Sequence, residues 1–118
     1  MAAVPEIKIH IAILDYLRAV LPDALVWHTP NGGARNISEA KSLKRMGVLP
    51  GVPDIIVITR AGKALFIEVK TARGKLSLEQ SSFRDFCVAA GLPWALCRSV
   101  DDAREFLNLC VVKTREAA

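Results

Sequence analysis

The chain has 118 residues, 52% hydrophobic and 24% charged, which is enough apolar material for a packed core and excludes a disordered chain. Net charge is +4, with a pI near 9.2, and no uncharged apolar run approaches the roughly 18 residues of a membrane span. The opening MAAVPEIKIH lacks the basic-then-apolar order of a signal peptide, and Cys87, Cys97 and Cys110 are too far apart for a metal-type pair, so one cytoplasmic domain over residues 1–118 with reduced thiols is expected.

Val4, Ile7, Ile11, Leu14 and Leu17 recur at helical spacing, and Pro5 suits a first turn, which predicts a helix over about 5–20. Leu25–Thr29 reads as a short strand, with Trp27 in the core and His28 a satisfied, partly buried histidine. The loop TPNGGARN follows. Residues 38–46 predict a short helix capped by Ser38 and ended by Gly47. On it Lys41, Lys44 and Arg45 fall at i, i+3 and i+4 and make one basic face.

Asp54–Thr59 and Ala64–Lys70 predict two strands, apolar on both faces, in a sheet covered on both sides. Leu76–Ala90 predicts a helix with Phe83, Phe86, Cys87 and Ala90 on one face, ended by Gly91. Trp94–Cys97 is a last strand, and a helix capped by Ser99 runs from Asp101 to about Cys110, with a frayed tail after about 112. The third strand, its helix and the fourth strand form a crossover, so those two strands are expected to be parallel.

A three-residue loop at 61–63 sets Arg60 opposite Ala64. In that register Ile56 faces Glu68 and Asp54 faces Lys70. Cross-strand partners share a face, as do residues two apart on one strand. Asp54, Glu68 and Lys70 therefore converge at one end of the sheet. Two carboxylates brought together repel unless a counterion sits between them. A hard divalent cation with oxygen ligands meets that need, and the Val69 carbonyl offers a further ligand. Charge adds to the picture: residues 31–75 carry nine Lys and Arg against three acids, a net +6, while the remainder is at −2. A basic segment of this kind suits a polyanion such as nucleic acid.

The string PD, fourteen residues from Asp54 to Glu68, then EVK, resembles the PD-(D/E)xK nuclease superfamily. PNGG at 30–33, MGVLPGVPDIIV at 46–57, LFIEVK at 65–70 and GKLSLEQ at 74–80, in that order, resemble the VRR-NUC (virus-type replication-repair nuclease) family over about residues 6–107. The resemblance implies an α/β, restriction-endonuclease-like αβββαβ core, a mixed sheet with helices on both faces. It also implies Mg²⁺ or Mn²⁺ and DNA cleavage. Stand-alone members are often phage or bacterial proteins, frequently homodimeric and able to act on branched DNA such as four-way junctions or flaps.

By position, Asp54 and Glu68 match the metal-binding acids and Lys70 the catalytic lysine. Gln80 matches a glutamine on the next helix, and Ser77-x-x-Gln80 is also a capping box. Glu6 matches a supporting acid on the first helix, although an acid in a first turn is also favourable through the helix dipole. His10, one turn on, lines the same cleft, where family members often have glutamine. Asn31, Gly32, Gly33 and Arg35 are expected to meet a DNA phosphate, together with Lys41, Lys44 and Arg45. The alternative is a non-catalytic DNA-binding or replication-complex interaction domain on the same fold.

Overall fold

The computed structural model describes residues 3–30, 36–110 and 112–115. Its elements follow the predicted order: α1 (Glu6–Val20), β1 (Leu25–His28), α2 (Ile37–Arg45), β2 (Ile55–Ile58), β3 (Ala64–Val69), α3 (Leu78–Ala90), β4 (Trp94–Cys97) and α4 (Val100–Leu109). The sheet order is β1-β2-β3-β4. The pairs β1–β2 and β2–β3 are antiparallel. β3 and β4 are parallel, joined through α3, so the sheet is mixed as expected.

One face of the sheet carries Ile55, Val57, Leu65, Ile67 and Val69, all buried. They pack with Ile13, Leu17 and Val20 of α1 and with Ala103, Phe106 and Leu107 of α4. Each such side chain contributes about 1.5–3 kcal/mol by leaving water. The opposite face carries Phe66 and Glu68. Here α3 packs, with the Phe83 ring edge-on to Phe66 at a centroid distance of 5.4 Å. Helices thus lie on both faces, but the second cover is partial. Trp27, paired with Ile56 on this face, is 39% exposed rather than core, because β1 is an edge strand of the sheet. Phe86, expected beside Phe83, is 69% exposed. α3 turns Phe83 and Cys87 inward instead.

The buried stripe of α1 also differs from expectation. Ile13, Leu17 and Val20 face the sheet and α4, while Val4, Ile7 and Ile11 are exposed. The helix has two apolar stripes, and periodicity alone does not choose between them. α2 begins one residue early because Asn36, not Ser38, caps it, accepting the Glu39 N–H at 2.7 Å. Ser77 and Ser99 cap α3 and α4, and the Ser77–Gln80 capping box forms in full. Residues 112–115, expected to fray, return along α1, where the Arg115 N–H donates to the Val20 carbonyl at 2.8 Å.

The hairpin register is shifted by two residues. Ile56 pairs with Phe66 and Ile58 with Ala64. Thr59 closes the loop one residue earlier than predicted. Its backbone N–H meets the Lys63 carbonyl at 2.9 Å, and its hydroxyl accepts the Lys63 N–H at 3.0 Å. An even shift keeps every side chain on its face, whereas an odd one would invert the strand. Continued by one step, the register sets Asp54 opposite Glu68, not Lys70.

Candidate active site

Asp54 stands at the end of β2, where three hydrogen bonds fix it. Its carbonyl accepts the Thr29 N–H at 2.9 Å and lies 2.8 Å from Nδ1 of His28. Its Oδ2 accepts the Val69 N–H at 2.8 Å. The side chain thus takes the place of the next ladder acceptor and ends the β2–β3 pairing.

Glu68 is 1% exposed. Its Oε1 accepts the Gln80 Nε2 donor at 2.8 Å. Its Oε2 is buried and, apart from the neighbouring Asp54 carboxyl, has no hydrogen-bond partner among the described residues. Burial, then the Asp54 charge and a side-chain hydrogen bond with Asp54, push the Glu68 carboxyl up to about 8, and the Lys70 charge partly opposes the rise. A buried carboxyl beside a second carboxylate carries a large desolvation and repulsion cost unless a proton or a cation compensates it. A divalent cation held by Asp54 and Glu68 would take the place of that proton, so the donor set fits Mg²⁺ or Mn²⁺.

Lys70 follows β3, where its N–H donates to the Cys97 carbonyl at 3.1 Å. Its stem runs beside Gly74. A Cβ there would lie 3.3 Å from both Cβ and Cδ of the lysine. The turn holding Gly74 is clamped by Arg98, whose Nη1 donates to the Thr71 and Gly74 carbonyls at 2.5 and 2.8 Å. Arg98 thereby fixes the segment that confines Lys70. No local signal in the sequence marks it, because the contact spans more than twenty residues.

Gln80 uses both ends of its amide. Oε1 accepts the Ser77 N–H at 2.8 Å and Nε2 reaches Glu68. The capping box and a contact with Glu68 therefore coexist at Gln80, and the cap aims the amide at the Glu68 carboxyl. Gly51 packs against this same turn. Its φ is +87°, and a Cβ would fall 2.3 Å from the Glu79 carbonyl oxygen and 2.9 Å from the Gln80 nitrogen. Gly51→Ala is therefore expected to destabilise the protein by at least ~1–2 kcal/mol and to move Gln80 off Glu68. Thermal melting measures the first effect. An unchanged melting temperature would mean that the link yields freely.

α1 brings Glu6 and His10 to this end of the sheet. Charge on Glu6 reaches both Glu68 and His10. Burial lowers the His10 pKa, and the His28 charge lowers it further. The His10 and His28 rings meet edge-on at 4.6 Å. His28 is exposed, not partly buried, although its Nδ1 is satisfied as expected. Lys41, Lys44 and Arg45 are exposed on α2. Lys44 and Leu43 border a groove shared with Leu49, Gly51, Glu79 and Gln80, which joins the basic helix to the carboxylate end. Asn31, Gly32, Gly33 and Arg35 lie outside the described residues.

The VRR-NUC domain family model matches residues 8–101, most of the chain. The chain belongs to the VRR-NUC family. Two solved structures share this VRR-NUC fold. One, titled "VRR_NUC domain protein", has a TM-score of 0.73 at 22% identity, covering 92% of this chain and 89% of its own. The other, titled "VRR_NUC domain", has a TM-score of 0.62 at 19% identity, covering 87% and 94%. No curated protein matches significantly. The restriction-endonuclease-like fold expected from the sequence is the one observed, and the VRR-NUC family is nuclease-like. No helix among the described residues is long and apolar enough to cross a membrane.

Proposed function

We propose that this chain is a single-domain, metal-dependent endonuclease that hydrolyses DNA phosphodiesters, preferentially in branched DNA, and works as a homodimer. The observation that carries this reading is the buried Glu68 carboxyl set against Asp54, with the Lys70 charge close enough to act on it. A binding module has no need of two acidic side chains brought together at such a desolvation cost.

Asp54 and Glu68 would hold the cation, the Val69 carbonyl would offer a further oxygen, and Glu6 adds negative charge nearby. When bound, the cation polarises the phosphodiester and lowers the pKa of a water. Lys70 supplies a positive charge for the phosphate oxygens and orients the attacking water. Gln80 holds Glu68 in place and stands beside that water. The two-fold preference has a geometric motive. A four-way junction presents two equivalent strands, and exposed Met46, Leu49 and Leu78 offer apolar surface for a second copy.

The deciding experiment incubates labelled linear, flap, splayed and four-way DNAs with Mg²⁺, Mn²⁺ or EDTA. Cleavage with either metal and none in EDTA is expected, strongest on the branched substrates. Binding without cleavage under every metal would establish the non-catalytic alternative instead.

The DNA path is proposed to follow α2, with Arg35 extending it. Each phosphate contact on duplex DNA steepens the salt dependence by about 0.9 log units of affinity per log unit of salt. Replacing Lys41, Lys44 and Arg45 with Ala is expected to flatten the slope by roughly two to three and weaken binding to all sequences alike. Binding measured in Ca²⁺, without turnover, checks it. An unchanged slope would move the DNA elsewhere.

A further inference from the structure

His10, His28 and Asp54 present one nitrogen from each ring and one carboxylate oxygen within 4.8 Å of one another. Neighbouring ligands of one ion stand roughly 3.0–3.4 Å apart when each bond is ~2.1 Å, so closing the three groups on one ion requires them to draw together by up to about 1.5 Å. The strand alternation explains how one aspartate serves two neighbourhoods. His28 pairs with Ile55 and belongs to the α1 face, while Glu68 belongs to the α3 face. Asp54, at the end of β2, reaches both.

The His28 hydrogen bond adds a second, independent observation. A carbonyl oxygen only accepts, so the 2.8 Å contact between Nδ1 and the Asp54 carbonyl places the proton on Nδ1. In the neutral ring the lone pair then lies on Nε2. A metal-binding histidine is typically oriented this way, with its other nitrogen donating to a carbonyl or carboxylate.

We propose that His10 and His28 join the Asp54 carboxylate in a second metal position, whose two-nitrogen, one-carboxylate set takes a first-row transition ion in preference to Mg²⁺. Imidazole suits such ions, whereas Mg²⁺ keeps to oxygen ligands. Asp54 is the shared ligand between this position and the Asp54–Glu68 position, so the inference rests on the functional reading for its catalytic meaning but not for its metal binding.

The full chain is titrated with Co²⁺ alone, followed by its visible d–d absorption, with equilibrium dialysis for stoichiometry. His28→Ala, at an exposed position, and His10→Asn are each expected to weaken Co²⁺ binding by roughly tenfold or more, at least the cost of losing an outer-shell partner. Excess Mg²⁺ is expected to leave the Co²⁺ spectrum in place. Pulsed EPR of the Mn²⁺-loaded wild type, which needs no variant, is expected to show nitrogen coupling. Wild-type Co²⁺ affinity in both variants, or Mn²⁺ without nitrogen coupling, overturns the inference. Those failures would leave Mg²⁺-dependent cleavage through Glu68 and Lys70 standing. Conversely, an intact Co²⁺ spectrum in a protein that cleaves no DNA would sink the nuclease reading alone.

Discussion

Asp54→Asn, Glu68→Gln and Lys70→Ala are each expected to lower DNA cleavage by roughly 10²- to 10⁴-fold while the fold survives. The first two remove an anionic ligand without changing side-chain shape. The third removes the positive charge nearest the carboxylates and leaves the β3–β4 pairing, which uses only the Lys70 backbone. Asp54→Asn is the sharpest of the three. Its carbonyl still meets Thr29 and His28, and its side-chain oxygen still accepts the Val69 N–H. Only the charge changes. Cleavage assays on purified variants, with circular dichroism to establish folding, decide the matter. Near-wild-type turnover by Asp54→Asn would refute the metal assignment.

The second large effect concerns stability without metal. Glu68 in the folded protein holds its proton up to about pH 8, against an ordinary value of 4.5. Between those limits the folded state binds more protons than the unfolded chain, so raising the pH destabilises the fold. The metal-free melting temperature is therefore expected to fall from about pH 5 to pH 8 by several degrees. Glu68→Gln is expected to flatten this slope and melt higher than wild type at pH 8, while being inactive. Its amide oxygen keeps the Gln80 bond and its NH₂ is free to donate toward Asp54. Added Mn²⁺ is expected to stabilise the wild type more at pH 8 than at pH 5, since binding must displace the proton at the lower pH. Scanning calorimetry across pH, with and without metal, measures all three. Parallel pH profiles for wild type and Glu68→Gln would show that this carboxyl does not carry the penalty.

The meeting of Asp54, Glu68 and Lys70 was legible because strand alternation has a period of two and both strands were recognisable. The two-residue error in register did no harm for the same reason. The register itself was not legible, since it turned on whether Thr59 or Arg60 closed the loop, and Thr59 closes it with both its backbone and its hydroxyl. The α1 face was not legible either. Val4, Ile7 and Ile11 are as apolar as Ile13, Leu17 and Val20, and only the docking of α1 on the sheet and α4 selects between them. Gln80 could be assigned to a cap from its spacing to Ser77, but its contact with Glu68 depends on how α3 sits on the sheet. The approach of His10 to His28 and the Arg98 clamp are long-range contacts with no periodic trace. Gly51 carried a signal of turn, not of the helix backbone pressed against it.

The hairpin has one more consequence, in the order of assembly. Asp54 and Glu68 are fourteen residues apart and meet across a tight loop. Hairpins of this kind close in about 1–10 μs. Glu6 and His10 come from more than forty residues upstream of Asp54 and arrive only when α1 docks, after a longer chain closure. The mutually repelling part of the site is therefore expected to form first, in the most local contact of the sheet, with the nascent hairpin bearing that repulsion before a helix covers it. Mild acid, which protonates one carboxyl of the pair, lightens the load on this early step.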